Sequence, residues 1–235
     1  RGAPRSDMLL GNDRMISRWP ARGGPVLADG VIYFGAGIWP SEGIFLYALD
    51  ARTGEVRWCN DASGTIEMDQ PHARARAKSG ISAQGYLATV GDGLLVPTGR
   101  AVPAVLDRSD GALRYFHLQA HQQAGGADVL VVDDYFVNGG IVYAISNGRR
   151  IGGIGLQAAV HPDWVVHARD NKVLGLDRRH LTVQREIVDS KGAKQRVTRL
   201  APAKWEVEAT FDANPRPALP KDLRLPEVRM NSTAW

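Results

Sequence analysis

The chain of 235 residues carries a net charge of +4, is 44% hydrophobic and contains one cysteine, Cys59. No run approaches the roughly 20 apolar residues that a membrane-crossing helix needs, so no transmembrane segment is expected. One cysteine excludes an intrachain disulfide, and the basic residues lack both the aromatic neighbours and the recognisable module of a nucleic-acid binder.

Residues 1–18 are polar and read as an irregular connector. Residues 24–35 (GPVLADGVIYFG) read as a hairpin around Asp29-Gly30, because Asp-Gly between β-branched and aromatic runs favours a two-residue turn. Residues 47–58 (YALDARTGEVRW) read as two strands around a tight turn at Asp50 to Gly54. Together they make one four-stranded antiparallel unit. Its alternation predicts that Tyr47, Leu49, Val56 and Trp58 are buried and that Arg52 and Glu55 are exposed.

Weaker copies follow. Residues 84–97 (QGYLATVGDGLLVP) and 103–116 (PAVLDRSDGALRYF) match the first unit, with Asp92-Gly93 set against Asp29-Gly30 and Asp107 and Gly111 against Asp50 and Gly54. A third copy spans 128–137 and 140–148, with Asp133-Asp134 at a turn. A fourth spans 158–167 and 172–177, with a late strand at 204–208. Equivalent strands begin near Phe45, Val102, Ile141 and Lys172, at uneven intervals around the about 40–50 residues of a four-stranded blade.

Between copies, residues 59–80 and 119–127 read as long loops, and long loops in compact domains carry function disproportionately. Residues 185–199 alternate charged with β-branched residues and read as a solvent-facing hairpin turning at Ser190 to Gly192. Basic pockets at 72–78 and 191–199 read as solvated surface. Residues 211–235 are proline-rich, which resists strand pairing, and read as a connector to further sequence.

The pattern ADG-V-Y followed by LYALDA-TG-V-W resembles the repeat of pyrroloquinoline-quinone-type (PQQ-like) β-propellers. The likeness is close at residues 24–58, fair in the second copy and outlined in the others, over roughly Trp19 to Glu208. That repeat occurs in quinoprotein alcohol dehydrogenases and in the non-enzymatic lipoprotein of the outer-membrane β-barrel assembly machine. Residues 19–24, with the 36–43 excursion, are similar to large multidomain secreted proteins of environmental bacteria.

The resemblance implies an all-β fold: a partial β-propeller of about four four-stranded antiparallel blades, a fragment of a larger ring. Blades fill 19–210, between connectors at 1–18 and 211–235. It implies an extracytoplasmic bacterial location, periplasmic, cell-surface or secreted. The leading functional expectation is a non-catalytic binding or scaffolding module, partnered by another protein or by further blades. The alternatives are a segment of a quinoprotein-type oxidoreductase with its cofactor residues on other blades, and a carbohydrate-binding or carbohydrate-active propeller.

Candidate ligand residues are those expected where strands enter the central channel. Arg22 and Arg100 offer bidentate forks for carboxylate or phosphate, the alternative being pairing with blade-turn carboxylates. Gln84 offers a hydrogen bond to ligand or to a buried backbone group. Trp39 offers a ring for a sugar or quinone plane, or packs on the neighbouring blade. Trp19, Trp58 and Trp205 read as core or inter-blade anchors. No catalytic residue is assigned. The histidines His72, His117, His121, His161, His167 and His180 show no metal-ligand spacing. Asp133-Asp134 fits a turn better than a calcium site, because adjacent strand residues face opposite ways. With no adjacent-cysteine pair and no recognisable calcium set, neither PQQ nor calcium is expected.

Overall fold

The computed structural model describes residues 2–11, 13–70, 75–99, 101–118, 125–155 and 157–209. Strands and no helix form among them. Residues 8–17, expected to be irregular, instead form a hairpin of β1 (Met8–Gly11) and β2 (Arg14–Ser17). Asp13 takes a positive φ of 61° at its turn, and Met8, Leu10 and Met15 lie exposed on it.

The first blade is β3 (Ala21–Ala28), β4 (Val31–Ala36), β5 (Phe45–Asp50) and β6 (Val56–Asn60), antiparallel and in sequence order. Asp29 and Gly30 have φ of 50° and 72°, the paired left-handed conformations of a hairpin turn that matches strand twist. The 59–80 segment is not a plain loop. It contains a second hairpin, β7 (Ile66–Asp69) with β8 (Arg76–Ser79).

The second blade is β9 (Ala88–Val90), β10 (Gly93–Val96), β11 (Ala101–Asp107) and β12 (Leu113–Leu118). Its first turn is Gly91-Asp92, one residue earlier than expected, because Gly93 already pairs with Val90. The third blade is β13 (Leu130–Val132), β14 (Tyr135–Asn138), β15 (Ile141–Ala144) and β16 (Arg150–Gly153), with Asp133-Asp134 at a turn. The fourth is β17 (Ala158–Val160), β18 (Trp164–Arg169) and β19 (Lys172–Asp177), completed by β22 (Trp205–Glu208). Between β19 and β22 stands the hairpin of β20 (Thr182–Val188) and β21 (Lys194–Leu200).

The turn from third to fourth strand repeats atom for atom. In the first blade Asp50 N–H donates to Glu55 O and Gly54 N–H to Asp50 O; Asp107 and Gly111 repeat this, as do Ala144 and Gly148. The glycines close the turn at φ of 75°, 76° and 67°, a region costly for residues with a Cβ. A one-residue bulge follows in each of these blades. In the first blade the extra residue is Arg57, since Ala48 pairs with Trp58 and Leu49 with Val56. That bulge overturns part of the expected burial. Tyr47 and Trp58 are buried and Arg52 and Glu55 exposed, but Leu49 is only half-buried and Val56 is 57% exposed. Strict alternation would put Val56 on the face of Trp58; the bulge moves it to the other face.

Stacking of the blades decides the cores. Val31, Tyr33, Trp58, Leu94 and Val96 join the first blade to the second. Leu95, Val105, Phe136 and Tyr143 join the second to the third. Val137, Val142, Val165 and Leu176 join the third to the fourth. Strand β10 is buried at every position, whereas β4 and β18 alternate for most of their length. A strand with neighbours on both faces reads as continuously buried, and one with a single packed face alternates. The middle blades are thus sandwiched and the end blades each keep a free face, which is the pattern of a partial propeller.

Candidate functional site

Strand direction divides the molecule into two faces. The turn face carries the tight turns near residues 29–30, 51–54, 91–92, 108–111, 133–134, 145–148 and 161–163. The loop face carries the entries to the first strands and the connections from second to third strands.

On the turn face four arginines, Arg57, Arg108, Arg114 and Arg178, are committed to internal partners, whereas the Arg52 side chain has none among the described residues. Arg108 donates through Nη2 to Asp29 Oδ2 at 2.6 Å and through Nη1 to Gly91 O at 2.7 Å, and its guanidinium lies 5.5 Å from the Tyr33 ring centroid. Arg178, one residue after Asp177 as Arg108 is after Asp107, grips both Asp133 oxygens at 2.7 and 2.8 Å. Each therefore bridges to the first turn of the preceding blade. Arg57 reaches back to Asp50 Oδ2 at 2.8 Å, and Arg114 reaches Asp107 Oδ2 at 2.7 Å and Asp92 Oδ1 at 2.9 Å. With Asp133 consumed in this way, the Asp133-Asp134 pair is a turn and an ion-pair partner. Trp58 Nε1–H donates to Arg108 O at 2.9 Å, and Tyr115 O–H donates to Ile145 O at 2.8 Å, which ties blade to blade at equivalent positions.

The loop face differs. Arg22, the second residue of β3, is half-buried, and its side chain makes no hydrogen bond or ion pair among the described residues. The blade-turn pairing weighed for it is made instead by Arg108 and Arg178. Trp39, in the β4–β5 connection, is 61% exposed. The nearby Glu42 is occupied by Arg18, and its carbonyl accepts the Trp19 Nε1–H at 2.7 Å. Gln84 is exposed and its side chain makes no hydrogen bond among the described residues. Its main chain is held by Pro97 O, and Gly85 O accepts the Gly24 N–H at 2.8 Å. Ser82 Oγ donates to Ile38 O at 2.9 Å, which moors the segment carrying Gln84 beside the one carrying Trp39.

Topology thus places Arg22, Trp39 and Gln84 on one face, but no hydrogen bond, ion pair or ring contact joins their side chains. Arg100, with His72 and His121, lies outside the described residues. Sequence reasoning missed Tyr86, which is 69% exposed; its ring lies over Gly24, where an added Cβ would stand 2.0 Å from Cδ1. The signal was the Gly23-Gly24 pair, which leaves room for a ring from the next blade.

A groove of about 750 Å³ opens between the third and fourth blades, lined by Val129, Val137, Gly139, Gln157, Val166 and His167. His167 is 6% exposed and its Nδ1 has no partner among the described residues. Burial, aided by the Arg169 charge, holds its pKa below the ordinary histidine value. Among the described residues no three His, Cys, Asp or Glu side chains converge as a metal-binding set.

These shifts predict acid sensitivity in two stages. A depressed folded-state pKa contributes stability that is present above the unfolded value and lost as pH falls. His167 gives the first decline, below about pH 6.5. The second comes from Asp50, lowered to about 2 by Arg57 and the turn N–H groups, and from Asp107 and Asp133, lowered by Arg114 and Arg178. It begins below about pH 3.9. Melting temperature against pH should show both, and His167→Asn should abolish the first alone.

No protein-family model matches the chain, and no curated protein matches it. Solved structures do. BamB from Moraxella catarrhalis is 18% identical, covering 80% of this chain and 64% of that one, with a TM-score of 0.48. The quinohemoprotein alcohol dehydrogenase from Comamonas testosteroni is 13% identical, covering 76% of this chain and 39% of that one, with a TM-score of 0.44. A europium-containing methanol dehydrogenase is 15% identical, covering 78% and 48%, with a TM-score of 0.43. The chain spans less than two thirds of the length of each of these structures.

Proposed function

We propose that the chain is a non-catalytic binding or scaffolding module of a larger extracytoplasmic bacterial protein or assembly, and that it engages its partner through the loop face. One observation carries this reading. The loop face presents exposed Trp39, Gln84 and Tyr86 with Arg22, whose side chain has no polar partner among the described residues, while four arginines of the turn face are spent on Asp29, Asp50, Asp107 and Asp133. A guanidinium without a polar partner among the described residues, on the same face as exposed aromatic rings, supports an interaction surface, since arginine and aromatic residues dominate interface hot spots. The two rings also favour a second reading, carbohydrate recognition by stacking.

A photo-crosslinking residue at Trp39, compared with one at Arg52 on the turn face, tests the proposal in the parent cells. Adducts are expected from position 39 alone. Arg22→Ala combined with Arg100→Ala should remove them without changing the melting temperature. Equal adducts from both faces, or none from position 39, would overturn the proposal. On the same reading the purified chain should contain no stoichiometric PQQ by absorbance or mass spectrometry, and finding it would restore the oxidoreductase alternative.

A further inference from the structure

The fourth blade breaks the pattern of the other three. Where they close their last two strands with a tight Asp50-to-Gly54 type of turn, it begins the same way at Asp177, whose Oδ1 accepts the Arg179 N–H at 3.0 Å. The chain then leaves to build the β20–β21 hairpin before returning as β22. The blade does not need this insertion, since β19 and β22 pair without it.

The root of the hairpin is seated. Val197 is 9% exposed, and Leu200 lies over Gly152 of β16, where an added Cβ would stand 2.7 Å from Leu Cδ1. Beyond the root, Gln184 to Val188 and Lys191 to Arg196 are exposed. Beyond the Arg185–Val197 pair, three residues of β20 carry the hairpin outward by about 10 Å. Residues 182–200 hold five cations against two carboxylates, which is three of the chain's four net positive charges.

Both carboxylates are engaged within the hairpin. Glu186 pairs with Lys194 at 2.8 Å, and Asp189 accepts the N–H groups of Lys191 and Ala193 and the Gln195 side chain. Arg185, Lys191, Arg196 and Arg199 have no side-chain partner among the described residues. At the tip, Ile187 and Val188 are 36% and 63% exposed.

We infer that the β20–β21 hairpin docks tip-first on an anionic lipid surface, with Arg185, Lys191 and Arg196 on the headgroups and Ile187 and Val188, which leave opposite faces of β20 at the tip, in the interfacial layer. Paired basic and apolar signals on one projecting element are the composition of an interfacial anchor. Base stacking is not served, because the hairpin carries no aromatic residue. Addition of a partner's strand is opposed by the charged edges, which blunt such pairing.

Each basic contact with an anionic surface is worth about fivefold in partitioning, so three together are worth about 100-fold. The test is sedimentation of the full chain with phosphatidylserine-rich vesicles and with pure phosphatidylcholine vesicles, at low and high salt. Salt-sensitive binding to the first and none to the second is expected. The triple variant Arg185→Gln, Lys191→Gln, Arg196→Gln should lose about 100-fold. Ile187→Ser with Val188→Ser should lose about tenfold. Circular dichroism and melting confirm that the variants fold, as these side chains are exposed. Equal binding to both vesicle types, unchanged binding by either variant, or capture of DNA or an acidic polypeptide in preference to vesicles would overturn the inference.

Discussion

Trp58→Ala should destabilise the protein by about 3–5 kcal/mol, the usual cost of truncating a large core residue. The ring is 8% exposed and lies 5.9 Å from Tyr33 between centroids, and its six-membered portion covers Gly111 of the next blade, where an added Cβ would meet ring atoms at 2.6 Å. Truncation empties that space and leaves the Arg108 carbonyl without its indole donor at 2.9 Å. Both losses fall on the junction of the first two blades. Trp58→Phe separates them: it retains most of the ring area and gives up the hydrogen bond, worth about 1 kcal/mol. Denaturant unfolding of the two variants reads the difference. An alanine variant within experimental error of the parent would mean that the blades are not held together at this residue.

Gly85→Ala should cost about 2–6 kcal/mol, by adding backbone strain and overpacking of about 1–3 kcal/mol each. Gly85 has a φ of 147°, and a Cβ there would stand 1.8 Å from the carbonyl oxygen of Ala127, which precedes the third blade. Backbone cannot swing aside as a side chain does. Gly85 O also accepts the Gly24 N–H of the first blade, so a shift there disturbs three blades at once. Gly54→Ala is the control: its φ is 75° but an added Cβ meets nothing within 4 Å. It should cost only the left-handed conformation, about 1–2 kcal/mol. Equal effects of the two alanines would show that the second and third blades do not approach as closely as the structure has them.

Much of the fold was legible because the repeat signals are local. Asp29-Gly30 and the Asp50-to-Gly54 turn act over a few residues, and a hairpin turn sets the pairing of the strands it joins. The one-residue error at Gly91-Asp92 came from aligning Asp with Asp, when the turn is set by which residue takes the left-handed conformation. The β1–β2 and β7–β8 hairpins were missed because their strands are only four residues long and hold at most one β-branched residue each, too short for alternation to stand out from loop sequence. The loop-face candidates were partly legible. Position in the repeat assigns Arg22, Trp39 and Gln84 to one end of the blades, but Tyr86 becomes notable only once its ring is seen over Gly24.

By itself, then, the sequence determined the units: four antiparallel blades, their turns, and the exposed hairpin that replaces the last tight turn. Each follows from backbone preferences and hydrogen bonds within a few residues. Tertiary structure alone decided which groups were left over. Arg108 and Arg22 look alike in the sequence, yet stacking sets Arg108 against Asp29, 79 residues away, and sets no carboxylate of the described residues against Arg22. Likewise the bulge at Arg57, formed against the neighbouring strand, turned Val56 from the buried face to the free one. An ion pair or a buried face depends on what packing brings opposite, and no local rule of sequence carries that information.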